Sequence, residues 1–296
     1  MSTTLDDRTS PVAIGNPVAA VRARMEQGFF IPGEDTDASN VTHAFRYHFR
    51  ALGGMARARL AIATSYSLDL PEADGDCLAA AIELLHNASL VQDDFQDRSS
   101  SRRSRTAVWL EFGGGVALGL TDRLITAASV CLSRTSDPRQ FPALISRMHA
   151  SVAETIDGQT ADLSQNLPVS ALEKTILLAA ARKSGPLFAL ALELPLIAAD
   201  CGQYLDTAHD AAVRFGLGYQ ICDDLQDIEQ DRPSGAHTNL IVALEAGMDT
   251  AAARERGIVL AADCFADAIE LANRLPGDSG AGLRGLAERA SAQLGL

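Results

Sequence analysis

Two short acidic clusters, far apart in the chain, hold the side chains best suited to chemistry. Residues Asp93–Asp97 read Asp-Asp-Phe-Gln-Asp, and residues Asp223–Asp227 read Asp-Asp-Leu-Gln-Asp. Both clusters end long apolar stretches, and a helix would place the first and last carboxylates of each cluster on one face. Paired carboxylates are ligands for hard cations, and Mg²⁺ often bridges such ligands to a phosphate. The spacing therefore predicts two Mg²⁺-binding helix ends.

The segments before the clusters are the elements that must position them. Helical periodicity over Asp76–Asp97 puts His86 two turns before Asp93, about 10 Å away on the same side. Taken alone, His86 is typical of a satisfied core histidine, but its place on the carboxylate face makes it a candidate site residue. The second segment, Asp210–Asp227, repeats the arrangement and places Gln220 one turn before its cluster. Polar residues on stripes that should face a core indicate an internal cavity with polar ends.

Basic residues elsewhere are candidates for binding the phosphates that such metals accompany. Arg102 and Arg103 follow the first cluster, and guanidinium groups bind phosphate oxygens bidentately. The alternative is a solvated loop that neutralises the cluster. Lys183, followed by Ser184, interrupts an apolar run. This lysine either extends to solvent or meets a buried anion, and we favour the anion.

Composition and charge restrict the class of protein. The chain has 296 residues, 47% of them hydrophobic, and carries 25 basic against 38 acidic residues, a net charge of -13. This balance argues against binding to nucleic acids or anionic membranes. Alanine and leucine dominate, strand-like alternation is not evident, and no break resembles an interdomain linker. We therefore predict an all-α protein with a disordered tail over residues 1–15 and a single domain over residues 16–296.

The cysteines and the N-terminal residues bear on the compartment. The five cysteines are dispersed, without Cys-x-x-Cys spacing, which favours reduced thiols in the cytoplasm. The N-terminal residues lack the basic and apolar regions of a signal peptide. No charge-free apolar run reaches the length of about 18 residues that a membrane span requires. We expect a cytoplasmic protein without a membrane span or a nucleic-acid partner.

Taken together, these residues resemble the trans-isoprenyl diphosphate synthase, or polyprenyl synthetase, family over residues 40–245. A single Asp-Asp-x-x-Asp cluster is weak support. Two clusters in this order, with matching residues before and between them, form a specific signal. Besides the clusters, the resemblance is carried by Leu85–Gln92, the Arg102-Arg103 pair, Gly158-Gln159 with Asp162, Lys183-Ser184 and Tyr219–Cys222.

The resemblance implies an isoprenoid synthase-type helical bundle around a central cavity, usually in a homodimer. It also implies that the two aspartate clusters face each other and hold three Mg²⁺ ions against an allylic prenyl diphosphate. By position, the metal ligands would be Asp93, Asp94, Asp97, Asp223, Asp224 and Asp227.

The same resemblance implies further roles around the reacting centre. Arg102 and Lys183 would hold the allylic diphosphate. Arg103 and His86 would face the diphosphate of the second substrate, isopentenyl diphosphate. Gln220 and Ser184 would line the reacting centre. The catalytic residues would then be Asp93, Asp94, Asp97, Asp223, Lys183 and Gln220.

The chain departs from the family pattern at the expected acceptor site. The family has Gly-Gly-Lys-Arg-x-Arg near its N-terminus, where the lysine and arginine bind isopentenyl diphosphate. Here the stretch that begins at Gly53 reads Gly-Gly-Met-Ala-Arg-Ala-Arg, so either register of the two glycines loses the Lys-Arg pair. Hydrogen bonds to charged groups are worth about 1.5–3 kcal/mol each, so the loss weakens acceptor binding. Arg57 or Arg59 is the candidate replacement from a neighbouring turn.

Two further departures follow the aspartate clusters. The family's Arg-Arg-Gly-x-Pro-Thr becomes Arg-Arg-Ser-Arg-Thr-Ala over Arg102–Ala107. The lysine-bearing loop after the second cluster is shortened, which leaves Arg232 as the only nearby cation.

Product length depends, in this family, on bulky residues four and five positions before the first cluster. Those positions hold Ser89 and Ala88. Their small side chains favour an open pocket and products of C20 or longer, and close helix packing is the alternative interpretation.

Three functions remain open from the sequence. The favoured one is a prenyltransferase that ionises an allylic diphosphate and condenses it with isopentenyl diphosphate. The missing Lys-Arg pair keeps open an enzyme of the same fold that uses another acceptor or cyclises the chain, as a terpene synthase does. A non-catalytic regulatory subunit is least favoured, because such a subunit is expected to lose aspartates and both clusters here are complete.

Overall fold

The computed structural model describes residues 17–33, 39–51, 53–162, 169–232 and 239–294, without the side chains of residues 17, 160–162, 169–175, 179, 183 and 230. These residues are helical almost throughout, so the predicted all-α class is confirmed. The helices are α1 (Pro17–Phe29), α2 (Asn40–His48), α3 (Ala56–Ser67), α4 (Glu72–Gln96), α5 (Val108–Phe112), α6 (Gly114–Leu132), α7 (Phe141–Asp162), α8 (Val169–Ala198), α9 (Leu205–Asp231), α10 (Leu240–Leu244), α11 (Thr250–Ala272) and α12 (Ala281–Gln293). Two short strands are β1 (Ser101–Arg102) and β2 (Arg105–Thr106).

Helix α4 is the centre of unit 1, a compact unit formed by the described residues of Met1–Ile62 and Pro71–Ile145. Its middle is buried on every side, and the run Ala79–Ala81 lets neighbouring helices approach closely. Helix α6 packs on α4 with Leu120 and Leu124 fully buried, and α1, α2 and α5 surround this pair. Each such leucine contributes about 1.5–3 kcal/mol by burial. This apolar packing holds the helix that carries the first aspartate cluster.

Helices α8, α9 and α11 form the core of unit 2, which contains the described residues of Ala63–Leu70 and Ser146–Leu296. Gly185 of α8 and Gly216 of α9 meet where the two helices pack. A Cβ on Gly216 would lie 3.0 Å from the Gly185 Cα, so a side chain here would force the backbones apart. The close approach brings Ser184 of α8 beside α9.

Local structure differs from the sequence prediction in a few places. Helix α4 begins at Glu72 rather than Asp76, directly after the extended Pro71. The predicted helix over Asp210–Asp227 lies within α9. Strands β1 and β2 form an antiparallel hairpin where the sequence indicated only a basic loop, because strands this short carry no alternation signal. The predicted tail over residues 1–15 lies outside the described residues. The single domain over residues 16–296 stays a prediction, and the described residues form two compact units.

Helix α6 is the one helix, in the described part of the chain, that is long and apolar enough to cross a membrane by length and composition. Core helices pass the same test. This helix carries Asp122 and Arg123, and its buried face packs on α1, α2, α4 and α5 within unit 1. Its apolar composition therefore has an explanation in the packing of that unit.

A network of charged side chains joins three helices of unit 2. Glu193 of α8 is fully buried and accepts a hydrogen bond from Arg147 Nε of α7 at 2.5 Å. His209 of α9 places its Nδ1 3.2 Å from Glu193 Oε1 and 2.9 Å from Arg147 Nη2. Glu154 Oε1 of α7 lies 3.9 Å from His209 Nε2. The hydrogen bond to Glu193 is the main reason why the pKa of His209 lies above 6.5.

We expect the stability of the protein to fall as pH rises above 6.5 and through the raised pKa of His209. Because the folded-state pKa exceeds the unfolded value, the stabilisation is complete below that pH and is lost as the proton leaves. His48 and His86 have lowered pKa values, so their contributions change only below 6.5. Urea denaturation across this range measures the slope. His209→Gln should make the slope shallower, and His149→Gln, at an exposed histidine of α7, should keep it; an unchanged slope in His209→Gln contradicts the assignment. Any slope that remains in His209→Gln is expected from Glu83, whose pKa is also raised.

Candidate functional site

The first aspartate cluster lies at the C-terminal end of α4. Asp93 is half-buried, and Asp97 is exposed and caps the helix, with its N–H donating to the Asp93 carbonyl at 2.8 Å. The second cluster lies slightly deeper in its helix: Asp223 and Asp227 are half-buried, about two turns and one turn before α9 ends at Asp231. A helix C-terminus carries partial negative charge, so carboxylates there are unfavourable unless a cation is close. Both helix ends are therefore suited to bind cations.

Asp94 differs from its neighbours because it is buried and paired with Arg102. Arg102 Nε lies 3.1 Å and 3.2 Å from the two carboxylate oxygens, and its Nη2 lies 2.6 Å from Oδ1. The Asp94 side chain is 3% exposed and that of Arg102 is 36% exposed. Asp94 thus holds the Arg102 guanidinium beside α4. The metal-ligand role of Asp94 and the diphosphate-binding role of Arg102 stay predictions.

The β1–β2 hairpin presents Arg103 to the chain segment before α3. Arg103 and Ser104 form its turn with φ values of 52° and 60°, as in a type I′ turn. Arg103 Nη1 donates to the Ala51 carbonyl at 2.7 Å. Its Nη2 lies so near Gly53 that a Cβ there would be 2.8 Å away, so a side chain at this position would displace the guanidinium. Burial lowers the pKa of Arg103, and the charge of Glu83 opposes that change.

Arg57 and His86 meet in unit 1. Arg57, in the first turn of α3, places Nη1 3.4 Å from His86 Nε2. Burial, followed by the charges of Arg57 and Arg103, holds the pKa of His86 well below its usual value, so the imidazole is neutral. Arg59 is exposed instead, and its Nε donates to the Gly54 carbonyl at 3.1 Å. Of the two candidate replacements for the missing Lys-Arg pair, Arg57 is the one that reaches His86.

The sequence analysis missed a buried network behind these arginines. Glu83 is 1% exposed and accepts a hydrogen bond from Asn87 Nδ2 at 3.0 Å, while Asn87 Oδ1 lies 2.9 Å from His48 Nε2. Burial raises the pKa of Glu83, and the charges of Arg57 and Arg103 oppose the rise. Burial also lowers the pKa of His48 to about 4. The available signal was the four-residue spacing of Glu83 and Asn87, which puts two polar side chains on one face of an apolar helix.

In unit 2, Asp224 ties the second cluster to the next helix. Its carboxylate is buried and accepts the Leu240 N–H at 2.8 Å and Gln220 Nε2 at 3.0 Å. Asn239 Nδ2 donates to the Asp224 carbonyl at 2.9 Å. Ser184 Oγ of α8 lies 3.4 Å from Gln220 Oε1, so the two predicted residues of the reacting centre are neighbours. Asp224 thus resembles Asp94, since protein donors bind the carboxylates of both.

The remaining predicted residues are placed as follows. Arg232 is exposed and forms a bidentate ion pair with Glu245, with both nitrogen–oxygen distances at 2.9 Å, so its charge is already neutralised. The side chains of Lys183 and Asp162 lie outside the described residues. Gln159 is buried, and its Oε1 has no hydrogen-bond partner within the described part of the chain.

The two small residues that bear on product length lie one turn before the first cluster. Ala88 is 2% exposed. Ser89 is half-buried, and its Oγ donates to the His86 carbonyl at 2.8 Å. The hydroxyl of Ser89 thus bonds to its own helix. Neither Ala88 nor Ser89 extends a bulky side chain from α4.

The donor set fits a hard cation whose shell is completed by other groups. Within the described residues, no three carboxylate, imidazole or thiol groups lie close enough to hold a metal ion by themselves. Mg²⁺ commonly uses one or two carboxylates and completes its shell with water and substrate phosphates. The half-buried and exposed aspartates at the ends of α4 and α9 meet that requirement.

The sequence matches a known protein family. The polyprenyl synthetase family model matches residues 38–236. In sequence, the chain is similar to a probable farnesyl diphosphate synthase of Sinorhizobium fredii, with 28% identity over 78% of this chain and 77% of that protein. It is also similar to a short chain isoprenyl diphosphate synthase of Methanocaldococcus jannaschii, with 28% identity over 52% of this chain. That second match spans about half of the relative's length, 47%.

Solved structures share the fold. The chain superposes on geranylgeranyl pyrophosphate synthetase from Geoglobus acetivorans with a TM-score of 0.81 and 22% identity, over 93% of this chain and 98% of that one. A polyprenyl synthase from Caulobacter crescentus, complexed with calcium and isoprenyl diphosphate, gives a TM-score of 0.77 and 21% identity, over 93% and 94% of the chains. These likenesses confirm the predicted isoprenoid synthase-type helical fold.

We expect Asp94→Ala to lower the free energy of unfolding by about 2 kcal/mol. This is less than the about 3–5 kcal/mol of a fully buried pair, because Arg102 is 36% exposed. A double-mutant cycle with Arg102→Ala, measured by urea denaturation, should give a coupling energy of about 1–2 kcal/mol. The pair of Arg139 and Asp137, whose side chains are 85% and 31% exposed, is the control, and its coupling should be about 0–1 kcal/mol. Equal coupling in the two pairs contradicts a structural role for Asp94.

Proposed function

Because the chain belongs to the polyprenyl synthetase family, we propose that it is a Mg²⁺-dependent prenyltransferase that ionises an allylic diphosphate and condenses it with isopentenyl diphosphate. The observation that carries this proposal lies within unit 1. Arg57 of α3 and Arg103 of the hairpin act on neutral His86 of α4, the helix whose end bears the first aspartates. Guanidinium groups beside ligands for hard cations suit a diphosphate that arrives with its metal ions.

The carboxylates divide between metal binding and support. The proposed metal ligands are Asp93 and Asp97 at the end of α4 and Asp223 and Asp227 at the end of α9. Asp94 and Asp224 would support them from buried positions, and three Mg²⁺ ions are expected by analogy with the family. Bound Mg²⁺ would neutralise the diphosphate and stabilise the charge that develops as it leaves.

The allylic half of the reaction is proposed to use two cations. Arg102 and Lys183 are proposed to bind the allylic diphosphate, so Arg102 would exchange part of its pairing with Asp94 for phosphate oxygens. The carbon–oxygen bond then breaks, and the departing diphosphate keeps the electron pair. Gln220 and Ser184 would line the place where the allylic cation forms, and a dry apolar pocket would keep water from quenching it.

The acceptor half completes the reaction without a strong side-chain base. The alkene of isopentenyl diphosphate attacks the allylic cation and forms the new carbon–carbon bond. The proton that is then lost goes to the released diphosphate. Arg57 Nη1 lies within reach of His86 Nε2, so the neutral ring carries its proton on Nδ1, from which it can donate to a phosphate oxygen.

Arg57 is proposed to replace the family's missing Lys-Arg pair. Three observations support it: its place in the first turn of α3, its contact with His86, and its charge opposite the buried Glu83. Arg103 would complete the acceptor site. Arg232 is less suited to replace the family's later lysine, because Glu245 already neutralises it.

A product of C20 or longer is proposed from the two small residues before the first cluster. Ala88 and Ser89 present no large side chain. A second function is kept because the Lys-Arg pair is absent: an enzyme of the same fold that uses another acceptor or cyclises the prenyl chain. A regulatory subunit is the least supported function, since both aspartate clusters are complete.

A cytoplasmic homodimer is proposed as the working form. Helix α6 of unit 1 leaves Leu118 48% exposed and Val130 39% exposed, and Leu110 in α5 is 47% exposed. These exposed apolar side chains are available for contact with a second copy, which the family resemblance makes the expected state. All five cysteines are free thiols, which supports a reducing compartment.

The functions are separated by incubating the protein and Mg²⁺ with geranyl, farnesyl or geranylgeranyl diphosphate, with and without isopentenyl diphosphate. Longer diphosphates that form only with isopentenyl diphosphate support elongation, and products of C20 or longer support the chain length. Hydrocarbon or alcohol released without it supports the second function. Asp93→Ala should reduce turnover by about 100-fold or more, while Asp122→Ala, at an exposed acid of α6, should leave it unchanged. Full activity of Asp93→Ala contradicts the metal site.

Arg57→Ala should raise the KM for isopentenyl diphosphate by about 10- to 100-fold, since a charged hydrogen bond is worth about 1.5–3 kcal/mol. The KM for the allylic diphosphate should change little. Arg59→Ala is the matched control, because it removes an arginine two positions away that faces solvent. Steady-state kinetics with each substrate varied in turn measures both constants. Equal effects of the two substitutions would show that Arg57 has no special role.

A further inference from the structure

Tyr47 of α2 makes three contacts with the β1–β2 hairpin. The Arg105 guanidinium carbon lies 4.0 Å above the centre of the Tyr47 ring. Arg105 Nη1 donates to the Tyr47 carbonyl at 2.9 Å, and the Tyr47 hydroxyl donates to the Thr106 carbonyl at 3.0 Å. Phe112 packs edge-on against the same ring, with centroids 5.3 Å apart. Tyr47 is thus held on one side by α5 and holds the hairpin on the other.

The hairpin needs such a grip because its own structure is weak. Each strand has only two residues, and two-stranded hairpins are marginal on their own. Arg103 and Ser104 both have positive φ, a conformation that side chains with a Cβ rarely adopt. Ser104 and Thr106 also stand where the family pattern has glycine and proline, the residues that would favour a fixed turn.

The two other arginines of the hairpin make contacts that a substrate would compete for. Arg102 is paired with Asp94, and Arg103 is bound to the Ala51 carbonyl. If a diphosphate takes either guanidinium, that contact is weakened at the moment of binding. The contacts of Arg105 with Tyr47 do not involve those guanidinium groups, so they persist.

We propose that Tyr47 and Arg105 are a positioning pair that holds the hairpin so that Arg102 and Arg103 are presented together to a diphosphate. The proposal rests on the proposed function of those two arginines. Neither Tyr47 nor Arg105 needs to touch the substrate, because the Arg105 guanidinium already stacks on a ring and donates to a carbonyl. Their contribution is to order the hairpin before the diphosphate binds. Binding then costs less conformational entropy.

The single tryptophan of the chain, Trp109, reports on the hairpin without turnover. Its Nε1 donates to the Ser99 carbonyl at 2.7 Å, at the base of the hairpin. Inorganic diphosphate with Mg²⁺ is titrated while Trp109 emission is followed, and calorimetry gives the same dissociation constant independently. Hydrogen exchange of residues 99–107 measures the order of the hairpin in the unliganded protein.

Arg105→Ala and Tyr47→Leu should each weaken diphosphate binding about tenfold and speed hydrogen exchange in the hairpin. The double variant should bind diphosphate about as tightly as either single variant, because both substitutions remove the same interaction. Arg105→Lys should recover part of the loss. Arg46→Ala is the control, because Arg46 lies on the same helix over Phe30, 5.8 Å from the ring centre, rather than over the hairpin. It should bind diphosphate within about twofold of the wild type. Thermal unfolding of each variant confirms that the chain is folded. If Tyr47→Leu does not fold, Arg105→Ala and Arg105→Lys test the stacking, and Tyr47→Phe tests the hydroxyl contact with Thr106.

Three results would overturn the pair. Wild-type binding and exchange in both single variants would show that the hairpin needs no grip. A loss confined to Arg105→Ala, with hairpin exchange unchanged, would make Arg105 a direct ligand instead. If the wild type does not bind diphosphate, Tyr47 and Arg105 cannot position arginines for it, and the proposal is rejected. Failure of the proposed function is a different result. If the wild type makes no prenyl product but both single variants lose diphosphate binding, the positioning pair is supported and prenyl transfer is rejected.

Discussion

Carboxylates at the negative ends of two long helices are the constraint on which the site depends. Helices α4 and α9 are held by apolar packing inside their own units. The first cluster is at the end of α4, and the second lies in about the last two turns of α9, which ends at Asp231. The helix dipole and the like charges both oppose this placement. The protein offsets it in the same way twice: the second aspartate of each cluster is buried against protein donors, Arg102 for Asp94 and the Leu240 N–H for Asp224. The flanking aspartates are left where a hard cation would stabilise them.

The same buried aspartates organise what surrounds them. Asp94 holds one arginine of the β1–β2 hairpin, and the hairpin then carries Arg103 toward Gly53 and Ala51. Asp224 ties α9 to the start of α10, where Asn239 caps the helix with its side chain. Removing either carboxylate would therefore disturb a loop as well as a charge.

Unit 1 gathers three arginines near two buried acids. Asp94 pairs with Arg102, and the charges of Arg57 and Arg103 oppose the rise that burial causes in the pKa of Glu83. His48 and His86 stay neutral, because burial and the nearby guanidinium groups both disfavour a further positive charge. A diphosphate would meet fixed arginines and a neutral histidine that can donate a hydrogen bond. Arg57, the proposed replacement for the family's Lys-Arg pair, reaches that histidine.

The sequence by itself determined the fold class, the family resemblance and the helical placement of the aspartates, His86 and Gln220. These follow from local spacing, because residues three or four apart on a helix share a face whatever the rest of the chain does. The product-length residues and the lost Lys-Arg pair could be found in the same way, by position in a motif.

Only the tertiary structure decided which cations face inward and what holds them. The sequence left Arg57 and Arg59 as equals, and the packing of α3 brings the first to His86 and leaves the second exposed. It offered Arg232 as a replacement cation, whereas Glu245 already pairs with it. Glu83 behind the arginines, the hairpin and the stacking of Arg105 on Tyr47 were not predicted at all. Contacts of this kind join residues far apart in the chain, and they depend on how helices pack, which no local spacing encodes.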